Sequence, residues 1–190
     1  MSRRSRPAAA LAAVSLALAL LGGCGGPSST DQPADEGVSV HEPGDDEGLP
    51  QAHPAFDAHF TDPLYEDEAD ELAPFGSDEG WDLVHGWGAR RDELSASSTV
   101  RDLLEDDETG FALDELDAPA EPSPVPEPGG RVDASVIVVG AGFTLMRLTG
   151  QIDDEGRELV LTALRNLADE YPDEAALERQ AADVESFGTG

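Results

Sequence analysis

The chain contains no lysine, and its 11 basic residues, all arginines, face 41 acidic residues in a sequence of 190. The formal net charge at pH 7 is therefore -30. A surface with this charge repels the phosphates of nucleic acids and the headgroups of anionic lipids. We therefore predict no nucleic-acid binding and a solvated acidic surface, with weak, delocalised binding of divalent cations as the alternative use of so much acid.

Cysteine occurs once, at Cys24, so the chain can form no internal disulfide. An arginine-rich start at residues 3–6, an apolar run over residues 8–21 and Gly22-Gly23 precede Cys24. This layout resembles a bacterial lipoprotein signal, and the apolar run is too short to be a stable membrane span. We predict that residues 1–23 are a signal peptide. The alternatives are an ordinary signal peptide with a chance cysteine and a twin-arginine export signal.

The predicted lipidation of Cys24 sets the expected location. Acyl chains such as palmitate contribute about 0.8 kcal/mol for each buried methylene, so two or more chains hold a protein on a membrane almost permanently. We therefore expect a lipid-anchored, extracytoplasmic protein whose partners are the membrane and, as a further candidate, an envelope protein. The sequence does not define the oligomeric state.

Two segments have the composition of linkers. Residues 24–52 are rich in Gly, Pro, Ser and acid, which predicts a lipidated, acidic, disordered tether. Residues 117–131 contain proline at almost every other position, which predicts an extended, semi-rigid connector. Residues 53–116 and 132–190 remain as the two halves of one small domain, with about enough residues for a single core.

Capping signals predict helices in the first half. Ser77 and the two acids after it suit the start of a helix over residues 78–94, which the glycines could break near Gly86. Thr99 and Asp102 have the spacing of a capping box and predict a second, short helix.

In the second half, apolar residues recur at helical spacing between Val160 and Tyr171, where Asp153 can cap a helix and Pro172 ends it. Leu177, Ala181 and Val184 predict a final helix by the same spacing. Residues 134–149 combine strand composition with helical spacing, and we interpret them as a buried helix. The predicted fold is mainly α, with an α+β fold containing a strand at residues 134–140 as the alternative.

Several short stretches resemble the small bacterial proteins called YfeS-like. They are His53-Pro54, Asp62 to Tyr65, Ala73 to Gly80, Thr99 to Leu104, Gly142 to Leu145 and Gly150 to Asp153. The resemblance covers both halves of the predicted domain and implies a compact, largely helical fold, without implying an activity. The predicted lipoprotein signal and the Pro-rich segment depart from that family's pattern.

Signals for chemistry are few. The four histidines form no zinc-binding pattern, although His53 and His59 are a minor alternative as metal ligands. Gly140-Ala141-Gly142 lacks the third small residue of a dinucleotide fingerprint, and no nucleophile elbow occurs. We therefore predict no metal, no cofactor and no catalytic residue.

The best candidate site is a binding site formed by Asp78, Glu79, Trp81 and His85. On a helix Asp78, Trp81 and His85 share one face, which would place a carboxylate, an aromatic ring and an imidazole together. A helix cap beside a packed Trp and His is the structural alternative. The sequence favours a noncatalytic binding or interaction module. The alternative is an extracytoplasmic hydrolase-like enzyme that uses carboxylates and His85.

Overall fold

The computed structural model describes residues 48–105, 109–117 and 130–188. The predictions for the signal peptide, for Cys24 and for most of the tether lie outside these residues. Most of the predicted Pro-rich linker lies outside them as well.

The described residues form seven α-helices and two short 3₁₀ turns, Pro63–Glu66 and Arg91–Glu93, and this part of the chain contains no strand. The mainly α prediction is therefore confirmed. The helices are α1 (Pro54–His59), α2 (Asp78–Ala89), α3 (Val100–Leu103), α4 (Phe111–Glu115), α5 (Arg131–Thr149), α6 (Asp154–Glu170) and α7 (Ala175–Ser186).

Helix α5 is the centre of the core and contacts α1, α2, α3, α4 and α6. It is apolar on all sides, as expected of a helix enclosed by others. The strand alternative for residues 134–140 is wrong, because burial on every side outweighs the β-propensity of Val136 to Val139. By length and composition α5 could cross a membrane, but 78% of its most apolar window is buried in the protein.

Glycines let α5 approach its neighbours closely. A methyl group on Gly142 would overlap the side chain of Val160 in α6. A methyl group on Gly140 would lie 2.9 Å from the Cα atom of Gly80 in α2. Helix α5 ends at Gly150, whose φ of 76° is in the left-handed region that favours glycine.

The predicted caps form, and one of them joins two helices. Oδ2 of Asp153 accepts a hydrogen bond from the amide of Gly156 in α6 at 2.8 Å, while Oδ1 accepts from the amide of Val100 in α3 at 3.0 Å. Thr99 and Asp102 form the predicted capping box, with bonds of 3.2 and 2.8 Å. The starts of α3 and α6 are therefore held by one carboxylate.

Helix α2 differs from its prediction at its end. It begins after Ser77, whose Oγ accepts from the Gly80 amide at 3.0 Å, and it continues unbroken through Gly86 to Ala89 instead of Leu94. Arg91 then donates hydrogen bonds to carbonyl oxygens on two other segments. These long-range bonds favour a short 3₁₀ turn over further α-helix.

The core includes side chains from both sides of the Pro-rich segment. Phe60 lies at the centre of an aromatic cluster, with ring centroids 4.5 to 5.4 Å from those of Phe56, Tyr65, Phe143 and Phe187. Phe143 belongs to α5 and Phe187 follows α7. The two parts of the chain therefore form one hydrophobic core.

The buried side chain of Asn166 joins the two sides of the Pro-rich segment. Its Nδ2 donates to the carbonyl oxygen of Leu116 at 3.0 Å and to Oγ of Ser135 at 3.2 Å. Its Oδ1 accepts from Arg131 at 3.3 Å. Asn166 therefore fixes the end of α4 against the start of α5.

Candidate functional site

Asp78 and Glu79 are exposed residues in the first turn of α2. They line an open cleft of about 280 Å³ together with Glu71 and with Tyr171, which is 40% exposed. Carboxylates at a helix N-terminus are stabilised by the helix dipole, so these acids also support the start of α2. The cleft is an acidic surface feature.

Trp81 and His85 form a separate pair on α2. Their ring centroids are 4.0 Å apart with the planes tilted by 40°, as the i, i+4 spacing predicts. Nε2 of His85 is buried and has no hydrogen-bond partner among the described residues. Neither ring lines the cleft that contains Asp78. The four predicted residues therefore lie on one helix but divide into two pairs.

A second cleft, of about 450 Å³, lies between α2, α4 and α5. Its apolar lining is formed by Leu83, Trp87, Ile137 and Phe111, and Phe111 is 40% exposed. Glu79 lines this cleft as well as the first one, so the two clefts meet at that residue. We call the two clefts together the α2–α5 groove.

Polar residues border the apolar part of the groove. Glu79 and Asp82 are exposed acids on α2, and the guanidinium of Arg90 lies 4.3 Å from the centre of the Trp87 ring. A methyl group built on Gly86 meets no atom within 4 Å, so this residue faces open space in the groove. The groove has no signature in the sequence, because no single segment contains its lining.

At the opposite end of α5, Arg147 is almost fully buried, with 3% of its surface exposed. Its Nη1 and Nη2 donate to the two carboxylate oxygens of Glu66 at 2.7 and 3.0 Å, and its Nε donates to the carbonyl oxygen of Pro50 at 2.8 Å. Its guanidinium carbon lies 5.5 Å from the ring centres of Phe56 and Phe75. Every part of this guanidinium is therefore engaged.

Arg91 completes the attachment of the N-terminal segment. It donates to the carbonyl oxygens of Gln51 and Leu148, both at 2.6 Å, and the amide of His53 donates to the carbonyl oxygen of Arg147 at 2.7 Å. We call Arg147, Arg91 and Glu66 the arginine clasp. It binds residues 50–53 to the end of α5. A single arginine inside the apolar run of α5 was the sequence signal that could have indicated it.

Histidines 53 and 59 have local structural roles. Nδ1 of His53 accepts from the amide of Ala55 at 3.1 Å and caps α1. Nε2 of His59 lies 2.8 Å from the carbonyl oxygen of Asp183 in α7. The described parts of the chain contain no group of three or more His, Cys, Asp or Glu residues that could hold a metal ion.

Tyr65 forms a further polar contact with Asp183, through its carboxylate. Its hydroxyl donates to the Asp183 carboxylate at 2.5 Å. Burial, and then this hydrogen bond to an acceptor that favours the protonated phenol, raise the pKa of Tyr65 well above its usual value. Tyr65 is therefore a buried donor that ties the aromatic cluster to α7.

Comparison with known proteins gives one partial similarity. Over 51 residues the chain is 45% identical to "Uncharacterized protein YfeS" of Escherichia coli (strain K12), a stretch that makes up 27% of this chain. The matched stretch covers 18% of that protein, so the chain spans less than a fifth of its relative's length. No family model matches the chain, and no solved structure matches it. The similarity supports a YfeS-like relationship and indicates no activity.

Proposed function

We propose that this chain is a bacterial lipoprotein, acylated on Cys24, whose helical domain is a noncatalytic binding module displayed outside the cytoplasmic membrane. The observation that carries the proposal is the layout of the first 24 residues. Arginines, a short apolar run and two glycines precede the chain's single cysteine. Because the chain has a single cysteine, this thiol has no disulfide partner within the chain, and lipidation gives it a role.

The position of the arginine clasp supports an N-terminal anchor. An anchored domain transmits any pull through the first residues that are fixed to its core. Here the Pro50 and Gln51 carbonyl oxygens are bound by Arg147 and Arg91, and Arg147 belongs to the central helix. A pull from an N-terminal lipid would therefore act on a segment that is bonded to the central helix and to Arg91.

The separation of the polar groups supports a noncatalytic module over a hydrolase. Asp78 and Glu79 lie in an open cleft that His85 does not line. Among the described residues, a serine beside a histidine ring nitrogen occurs at Ser186, whose Oγ lies 3.4 Å from Nε2 of His59. Because a carbonyl oxygen can only accept, Nε2 of His59 must donate to Asp183 and cannot remove the serine proton.

The first test is the intact mass of the protein purified from membranes of a bacterial host that processes lipoproteins. The wild-type chain should have lost residues 1–23 and should carry acyl groups on Cys24. Cys24→Ala should lack these groups and should no longer be processed as a lipoprotein. Gly23→Ala keeps a small residue before the cleavage site and is the matched control, so it should remain acylated.

Fractionation gives the second readout of the same experiment. Wild type and Gly23→Ala should resist extraction from membranes by salt and alkali, because acyl chains hold them through buried methylenes. A processed, soluble and unacylated wild-type chain would contradict the anchor. It would also leave the Cys24 thiol free for other chemistry.

A further inference from the structure

We propose that the α2–α5 groove is the docking site for a short basic amphipathic peptide segment of a partner protein. The proposal rests on the binding module described above and names its ligand-binding surface and the chemistry of the ligand. It does not depend on the lipid anchor.

The groove has an apolar lining. Phe111 and Tyr171 are the two exposed large hydrophobic residues of the described chain, each 40% exposed, and they line the two clefts that meet at Glu79. Leu83 and Ile137 are buried and form the floor of the groove between α2 and α5, while Trp87 is half-buried. A ligand that covers the accessible rings of Phe111, Trp87 and Tyr171 would remove them from water, which favours a ligand with apolar side chains.

The rim of the groove is negatively charged. Glu71, Asp78, Glu79 and Asp82 are exposed and line the groove, while Arg90 is the one cation among its described lining residues. Arg90 is engaged with the Trp87 ring. A partner with lysine or arginine beside its apolar anchors would therefore match this rim, and an acidic partner would be repelled. The net charge of -30 means that the molecule as a whole also attracts basic partners and repels acidic ones.

The length of the groove suits one short helix. The groove follows α2, whose 12 residues span about 18 Å at 1.5 Å per residue. A helical ligand of about three turns has this length and presents apolar anchors at i, i+3, i+4 and i+7, the usual mode of helix-in-groove recognition. The groove is too short for a large rigid interface but suits one such segment.

Gly86 allows a direct test, because a side chain there would enter the groove without meeting the fold. Gly86→Leu should fill the space that a ligand side chain would occupy. It should also strengthen α2, since leucine favours a helix more than glycine does. Gly86→Ala is the matched control, because it gives most of the gain in helix propensity with much less added volume.

The experiment uses the full chain in nanodiscs of zwitterionic phosphatidylcholine, which has no net charge, with empty nanodiscs as the blank; a chain that carries no acyl group is measured free in solution. The probe is a labelled peptide of about twelve residues, with leucines at i, i+3, i+4 and i+7 and lysines elsewhere, followed by fluorescence anisotropy. A scrambled peptide of the same composition tests whether the apolar face matters. Melting temperatures of all variants are measured alongside.

The supporting result is binding by wild type and by Gly86→Ala, at least tenfold weaker binding of the scrambled peptide, and at least tenfold weaker binding to Gly86→Leu without a lower melting temperature. The pair Glu79→Gln with Asp82→Asn should also weaken binding and reduce its salt dependence. The pair Glu178→Gln with Glu185→Gln on α7 makes the same change of charge away from the groove and should affect binding less.

Any one of four results would overturn the proposal. Equal binding of both peptides, or equal binding to Gly86→Leu, would mean that the acidic surface attracts the peptide by charge alone. No binding to the wild-type chain would exclude this ligand class. A dimer that Gly86→Leu dissociates would show that a second copy covers the groove. If peptide binding persists while Cys24 carries no acyl group, the anchor fails and the groove proposal stands.

Discussion

The two ends of α5 have opposite surroundings. At its C-terminal end the arginine clasp satisfies charged and polar groups with bonds to residues far away in the sequence. At its N-terminal end Ile137 lies beside an open groove bordered by exposed acids and by Phe111. The comparison separates the end of the helix that is closed by long-range polar bonds from the end that lies under an open, acidic groove.

We expect the largest loss of stability from a substitution that breaks the arginine clasp at the C-terminal end of α5. Arg147→Met keeps much of the side-chain volume but removes the bonds to Glu66 and leaves the Pro50 carbonyl oxygen without its donor. Because the Glu66 side chain is 56% exposed and can bind water, we expect a loss of about 3 kcal/mol, toward the low end for a broken buried pair.

Urea unfolding measures this loss. Arg165→Met, in which an exposed arginine with bonds only inside α6 is replaced, is the control and should change stability little. Equal losses in the two variants would mean that the clasp has no special role.

Gly142→Ala tests the middle of α5, where Gly142 packs against Val160 of α6. The added methyl group overlaps Val160, so the packed helices must separate or adopt strained rotamers. We expect a loss of about 2 kcal/mol, typical of overpacking, in spite of the better helix propensity of alanine. Thermal unfolding gives the measurement, and an increase in melting temperature would contradict the close packing described here.

Tyr65→Phe tests the contact between the aromatic cluster and α7. Loss of the hydroxyl leaves Asp183 without this donor, and we expect a loss of about 1 kcal/mol near neutral pH. The folded-state pKa of Tyr65 is raised, so its contribution is fully present below the unfolded pKa of about 10 and is lost as pH rises above it.

The pH dependence of stability provides the control for this variant. Between about pH 9 and 11 the wild-type chain should lose stability more steeply than Tyr65→Phe, because only the wild type contains the Tyr65 phenol, whose pKa is higher in the folded state than in the unfolded state. Parallel curves for the two chains would contradict the raised pKa.

The smallest expected effect is at the open end of α5. Gly86→Ala places a methyl group in open space and should stabilise the chain by up to about 1 kcal/mol through helix propensity. The expected change in stability is opposite in sign to that of Gly142→Ala, so a glycine-to-alanine substitution distinguishes the open groove from the packed core. A loss of stability measured by urea unfolding would show that something already fills the groove near Gly86.

Local patterns were sufficient to predict much of the fold. The caps at Ser77, Thr99 and Asp153 and the apolar stripe of α6 depend on residues within a few positions of one another, and all of them form. The same local reasoning brings the rings of Trp81 and His85 together. The binding role of these two residues stays a prediction.

Features that depend on distant residues could not be predicted. Glu66 and Arg147 are 81 positions apart, and the end of α2 is set by bonds from Arg91 to segments far away in the sequence. The groove collects residues from α2, α4 and α5, and only the packed structure places Phe111 beside Trp87. Sequence spacing therefore predicted a site at Asp78 and Glu79 but could not predict that apolar residues of α4 and α5 lie near them in the groove.

The position of Asn166 gives the Pro-rich segment unusual freedom to vary. Because this side chain binds both the Leu116 carbonyl oxygen and Ser135, the geometry on the two sides of the segment is set from outside it. Lengthening or shortening the chain there would cost mainly loop-closure entropy, which changes slowly with length. Cutting it would add the entropy cost of bringing two separate chains together, so the domain can be regarded as two complementing fragments that share one interior.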